Sequence, residues 1–101
     1  MISISVAHYE ENCSIVMEGH AGYAEPGKDI ICAAVSALYI SLINGIDSLS
    51  SAVGNEYLHG DSHLYCISGL DRTADILIDS FRQSCRSIAE ENPEYVRYKD
   101  V

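Results

Sequence analysis

The chain has 101 residues, a length that suits a single domain spanning residues 1–101, because two separate cores would each be too small. Apolar residues make up 48% and charged residues 21%, which is the balance of a globular protein. The 15 acidic and 6 basic residues give a formal net charge of -9. This charge repels a phosphate backbone, so direct nucleic-acid binding is disfavoured, whereas a basic protein partner is favoured. Solubility alone is the other interpretation of the charge.

Residues 1–7 lack the basic segment, apolar run and small-residue cleavage site of a secretory signal, so we expect a cytoplasmic protein. The cysteines are scattered and form no CxxC pair: Cys13, Cys32, Cys66 and Cys85. This spacing disfavours both a disulfide framework and a structural zinc site. We therefore expect no metal and no other cofactor.

The N-terminal third predicts a hairpin, a loop and a long helix. Apolar residues alternate with small ones over residues 2–7, and a second short run covers residues 13–18, which together predict two paired strands. Residues 19–27, with the sequence GHAGYAEPG, interrupt both strand and helix patterns and predict a loop. Asp29 is the predicted N-cap of an apolar helix that runs past Asn44.

This predicted helix is apolar on nearly all sides. A membrane span is one interpretation, but the run is short for a span and contains Ser36, Ser41, Asn44 and Gly45. A buried helix fits the sequence better, and we expect no membrane association. Because such a helix needs cover on several sides, the sequence predicts a homodimer.

The second half repeats the order of strands and helix. Residues 56–59 and 63–68 flank a turn-forming triplet and predict a second hairpin. From Asp71 onward, apolar residues recur at spacings of three and four, which predicts an amphipathic helix that ends at Asn92 and Pro93. Residues 95–98 are an optional last strand. The predicted fold class is α+β, with the order β-β-α-β-β-α, a mostly antiparallel sheet and both helices on one face.

Cys32 is the first candidate for chemistry. It follows the proposed cap by three residues, so its sulfur is expected near the unpaired N–H groups and the positive dipole at the helix start. That position stabilises a thiolate, which is the nucleophilic form of cysteine. A buried core cysteine is the alternative, since free cysteines are commonly buried.

His20 is the second candidate, 12 residues before Cys32 at the start of the glycine-rich loop. If the loop folds back onto the helix, its imidazole can take the thiol proton and later protonate a leaving amine. A solvated loop histidine is the alternative. Asp29 and Ser36 share the helix face of Cys32; Asp29 could cap the helix or orient the imidazole, and Ser36 could bond a substrate or the helix backbone.

The stretch from Gly19 to Leu38, GHAGYAEPGKDIICAAVSAL, resembles the signature of the Prp family, and the resemblance extends over essentially the whole chain. Prp proteins are cysteine proteases that remove an N-terminal extension from a large-subunit ribosomal protein, number twenty-seven. The resemblance implies that Cys32 is the nucleophile, His20 the general base, and Asp29 and Ser36 supporting residues. It also implies a substrate loop that includes Gly19, Gly22, Tyr23 and Gly27.

The family is typically dimeric and uses no cofactor, so the resemblance implies a homodimer whose substrate is a basic ribosomal protein. Its apolar pocket is not located by the sequence; Tyr23 and Tyr39 are candidates. Two other functions remain open at this point: a noncatalytic module that docks on ribosomal proteins during assembly, and a redox-sensing thiol protein, which needs a resolving cysteine nearby.

Overall fold

The computed structural model describes residues 1–19 and 28–101, with the backbone alone for residues 28 and 29. Within this part of the chain the elements follow the predicted order and add a last strand. They are β1 (Ile2–Tyr9), β2 (Asn12–Glu18), α1 (Lys28–Leu49), β3 (Val53–His59), β4 (Ser62–Ser68), α2 (Arg72–Glu91) and β5 (Val96–Asp100).

The described strands form one sheet in the order β3-β4-β2-β1-β5. Neighbouring strands are antiparallel except β1 and β5, which are parallel. The prediction of a mostly antiparallel α+β fold is therefore confirmed, and the optional strand is present. It begins one residue later than predicted because the chain first turns at Tyr95, whose carbonyl accepts from the N–H of Ile2 at 2.8 Å.

One face of the sheet is buried and the other is open. Ile4, Ile15 and Ile67 on the covered face are each at most 1% exposed, whereas alternate residues such as Ser5 face the opposite side. Both helices pack on the covered face, α1 beside β3 and α2 beside β5. They contact each other where a Cβ on Gly45 would lie 3.1 Å from Leu77, so the glycine permits their close approach.

Two boundaries differ from the predictions. Helix α1 begins at Lys28, so Asp29 lies inside its first turn and is not the residue that precedes it. Strand β3 begins at Val53 rather than at residue 56. Gly54 and Asn55 have low strand propensity, but β4 pairs with them along its full length, and this tertiary pairing overrides their local preference.

Residues Ile30–Leu49 of α1 are long and apolar enough to cross a membrane by length and composition. The core helix of a soluble domain meets the same criterion. In α1, Val35, Leu42 and Ile46 are buried in the cluster formed with the sheet and α2. The buried share of the apolar run is 28%, so the sheet and α2 cover one stripe of α1 and leave the other side uncovered.

Asp71 connects the end of α1 to the start of α2. Its carboxylate caps α2 by accepting from the N–H of Ala74 at 2.8 Å, and it also accepts from the Ser50 hydroxyl at 2.7 Å and the Ser51 N–H at 2.9 Å. These hydrogen bonds hold the pKa of Asp71 well below its usual range, and the bond from Ser50 has the largest effect. The ionised carboxylate therefore stabilises the folded state.

We expect Asp71→Asn to remove a pH-dependent part of the stability. The pKa is lowered in the folded state, so the benefit of the charge is complete above about pH 5 and is lost as the pH falls below about 4. Thermal unfolding of both proteins between neutral and acidic pH measures this effect. The difference in Tm should be largest near neutral pH and shrink on acidification; a constant difference contradicts the assignment.

Candidate active site

Cys32 is a free, half-buried cysteine on α1. It is the fifth residue of the helix, two residues further in than the predicted third position, because α1 starts at Lys28. The Cα–Cβ bonds of a helix tilt toward its N-terminus, so the thiol leans toward the first turn. The N–H groups of that turn have no partner within the helix. Cys32 thus lies just beyond the first turn of α1, and the stabilisation of its thiolate by the helix start stays a prediction.

Ser36 lies one turn after Cys32 on the same helix face and is also half-buried. Tyr39 and Ile43 continue this face at helical spacing. The face borders the core on one side and strand β3 on the other, since Tyr39 is buried and bonds a residue of β3. Cys32 is thus at the margin of the core, where a thiol is held in place and still reachable.

Several predicted site residues lie outside the described residues: His20, Gly22, Tyr23, Gly27 and the side chain of Asp29. Gly19, the first residue of the predicted substrate loop, is described and follows β2 directly. Its φ is +78°, and a Cβ there would collide with the carbonyl oxygen of Met1. Both the backbone conformation and the space require glycine at this position.

The other cysteines are in different surroundings. Burial raises the pKa of Cys13 to about 11 and that of Cys85 to about 12, so both thiols stay protonated and inert. Cys66 is half-buried and pairs with Ser14 and Asn55, on the sheet face opposite the helices. None of the three lies near the start of a helix. Helix α1 contains no second cysteine that could resolve an oxidised Cys32, which weakens the redox-sensor interpretation.

Tyr39 is not part of an open apolar pocket. It is 5% exposed, and its hydroxyl donates to Oε2 of Glu56 at 2.6 Å. Nδ1 of His63 lies 3.4 Å from the same oxygen, and the rings of Tyr39 and His63 meet edge to face at 5.6 Å. Sequence reasoning missed Glu56 and His63, because they lie on β3 and β4 and meet Tyr39 only in the folded chain.

A cavity of about 510 Å³ lies between α2 and β5 and includes Arg86, Pro93 and Tyr98. It is at the sheet edge opposite β3, away from Cys32. Within the same part of the chain, no three His, Cys, Asp or Glu side chains are close enough to hold a metal ion.

Comparison with known proteins relates this arrangement to characterised enzymes. A family model described as cysteine protease Prp matches residues 1–97. The ribosomal processing cysteine protease Prp of Staphylococcus aureus is 28% identical, with 96% of each chain covered. The crystal structure of S. aureus Prp with a covalently linked product peptide has a TM-score of 0.80, 26% identity and full coverage of both chains. A Streptococcus mutans crystal structure has a TM-score of 0.86 and 27% identity, with 100% of this chain and 94% of the other covered.

We expect iodoacetamide to alkylate Cys32 in the folded protein well before Cys13 or Cys85. A rise in thiol pKa from 9.0 to about 11 leaves about 100-fold less thiolate on Cys13, in addition to its burial. Peptide mapping by mass spectrometry after short exposures measures the order of reaction. The Cys66→Ser variant removes the other half-buried thiol as a control. Equal labelling of Cys13 and Cys32 in the folded state contradicts the assignment.

Proposed function

Because the chain belongs to the cysteine protease Prp family, we propose that it removes the N-terminal extension of large-subunit ribosomal protein number twenty-seven in the cytoplasm. The family match across residues 1–97 is the observation that carries this proposal. The half-buried Cys32, whose thiol leans toward the start of α1, supports it. The net charge of -9 suits a basic ribosomal protein as substrate and increases the rate of encounter.

In the proposed mechanism, His20 takes the proton of the Cys32 thiol, and the thiolate attacks the carbonyl carbon of the scissile bond. The unpaired N–H groups of the first turn of α1 stabilise the oxyanion. Protonated His20 then donates its proton to the leaving amine as the C–N bond breaks, which leaves a thioester on Cys32. Water, deprotonated by His20, hydrolyses the thioester and restores the thiol. The reaction uses no cofactor.

The supporting residues have more modest parts in this proposal. Asp29 orients His20 or stabilises the first turn of α1, where a carboxylate interacts favourably with the helix dipole. Ser36 hydrogen-bonds the substrate one turn beyond Cys32. The loop that contains Gly19, Gly22, Tyr23 and Gly27 closes over the bound peptide and excludes water.

The proposal is tested with a peptide that spans the junction of the extension. We expect wild type to cleave it, Cys32→Ala to bind it without cleavage, and His20→Ala to lose about 10²–10⁴ in kcat/KM, the usual contribution of a general base. Chromatography with mass spectrometry identifies the products, and Cys66→Ala is the matched control that keeps full activity. Cleavage by Cys32→Ala at the wild-type rate rejects the nucleophile. Binding without cleavage by wild type favours the docking module.

A homodimer is part of the proposal and rests on the uncovered face of α1. Ile30 and Ile40 are 74% and 56% exposed, and three exposed alanines lie between them on this face: Ala33, Ala34 and Ala37. A contiguous exposed apolar strip of this kind is typical of a protein–protein interface. A second copy that packs its own strip against this one covers the α1 helices of both copies.

We expect Ala37→Glu to convert a wild-type dimer into a monomer, because the carboxylates of both copies would meet in the interface without partners. Light scattering coupled to size-exclusion chromatography gives the mass of each species. Gln83→Glu adds the same charge on the exposed surface of α2 and should leave the dimer intact. A monomeric wild type excludes the interface.

A further inference from the structure

The basic residues of the chain are concentrated at one edge of the sheet. Residues 30–71 contain no lysine or arginine, and their acidic residues are Asp47, Glu56, Asp61 and Asp71. Among the 6 basic residues, all but Lys28 are in α2 and β5: Arg72, Arg82, Arg86, Arg97 and Lys99. The edge formed by α1, β3 and β4 is therefore acidic, and it is the edge that carries Cys32.

Glu56 is the carboxylate of this edge that the Tyr39 hydroxyl holds in place. Its side chain is 34% exposed, and Oε2 is held by the Tyr39 hydroxyl and lies near His63, while Oε1 takes part in neither contact. Burial, together with the hydrogen bond to Glu56, raises the pKa of Tyr39 far above its usual value, so the hydroxyl remains a donor. The carboxylate is thus fixed in orientation with one oxygen available to a ligand.

The position of Glu56 relative to Cys32 follows from helix geometry. Tyr39 is seven residues after Cys32 on the same face, which places it about 10 Å further along the helix axis. An extended polypeptide covers about 10 Å in three residues. A substrate that runs along α1 with its scissile bond at Cys32 therefore brings a side chain about three positions away to Glu56.

Beyond Tyr39 the same side of α1 opens into a cavity of about 280 Å³, which Ile43, Asp47 and Gly54 help to line. Gly54 keeps the cavity open to Tyr65, because a Cβ at this glycine would collide with the Tyr65 hydroxyl. Burial raises the pKa of Tyr65, and the charges of Asp47 and Glu56 raise it further, so both carboxylates are close to this hydroxyl. Negative charge converges on one side of the helix.

Strand β3 adds a suitable backbone for an extended partner. It is the terminal strand of the described sheet and pairs with β4 on one side. Its apolar side chains are solvent-exposed, Tyr57 by 58% and Leu58 by 65%. A polypeptide beside β3 can use these backbone groups and side chains while it follows α1.

We propose that the substrate lies extended between α1 and β3, and that Glu56 selects a lysine or arginine about three residues from the scissile bond. This inference rests on the proposed function, because it takes Cys32 as the point of cleavage. Glu56 is a specificity residue here: it contacts the substrate away from the reacting atoms. Asp47 supplies a second carboxylate for a basic residue further along the same segment.

The test uses two sets of junction peptides, one with lysine and one with the uncharged norleucine at the varied position. The varied position runs from two to five residues from the scissile bond, on both sides. We expect wild type to favour lysine roughly two- to fivefold at one position about three residues out, the scale of a partly exposed ion pair. The preference should appear in KM rather than kcat and weaken at high salt. Glu56→Gln should abolish it, and Glu56→Lys should reverse it.

Glu90→Gln removes the same charge from the exposed surface of α2 and is the matched control that keeps the preference. Binding of the same peptides to Cys32→Ala, followed by fluorescence anisotropy, measures the selection without cleavage. An unchanged lysine preference in Glu56→Gln, by either measurement, overturns the inference. Failure of wild type to cleave any peptide overturns the proposed function instead, while the binding data still decide the role of Glu56.

Discussion

The packing of α1 across the sheet is the constraint on which the site depends. Val35, Leu42 and Ile46 are each at most 3% exposed, and burying such side chains contributes about 1.5–3 kcal/mol apiece. Rotation of the helix would expose them, so its orientation is fixed. Cys32 and Ser36 consequently remain half-buried, and Cys32 packs against the core.

The same burial separates the four cysteines by chemistry. Cys13 and Cys85 are enclosed by apolar side chains, which favour the neutral thiol, and Cys66 is on the open face of the sheet. Cys32 shares none of these environments. A protease of the Prp family needs one reactive thiol, and burial leaves Cys13 and Cys85 unsuited to that role. Cys32 is the nucleophile in the proposed mechanism.

Charge follows the same division of the molecule. Five of the 6 basic residues are in α2 and β5, where Asp100 accepts hydrogen bonds from Arg82 and Arg86 at 3.1 and 2.7 Å. Residues 30–71 contain no lysine or arginine, and Lys28 is the one cation in α1. Under the proposed function, the negative charge of residues 30–71 attracts a basic substrate to the edge that holds Cys32. Tyr39 connects the core to this acidic edge, since its ring is buried in the core and its hydroxyl orients Glu56 at the surface.

The sequence by itself determined much of the fold and, through its motif, the family. Alternation in β1, the spacing of apolar residues in α2 and the stop at Asn92 and Pro93 are local signals, and the structure follows them. The motif around Cys32 indicated the family, because the histidine, the glycine-rich segment and the cysteine all lie in one contiguous stretch of the sequence.

Only the tertiary structure decided the start of β3, the parallel pairing of β5 with β1, and the meeting of Tyr39 with Glu56 and His63. Each depends on strands that are distant in sequence, so no local pattern records it. Gly54 and Asn55 have little strand preference and become a strand because β4 offers partners. The family motif is contiguous and could be read from the sequence. The contacts of Tyr39 with Glu56 and His63 join separate elements and required the fold.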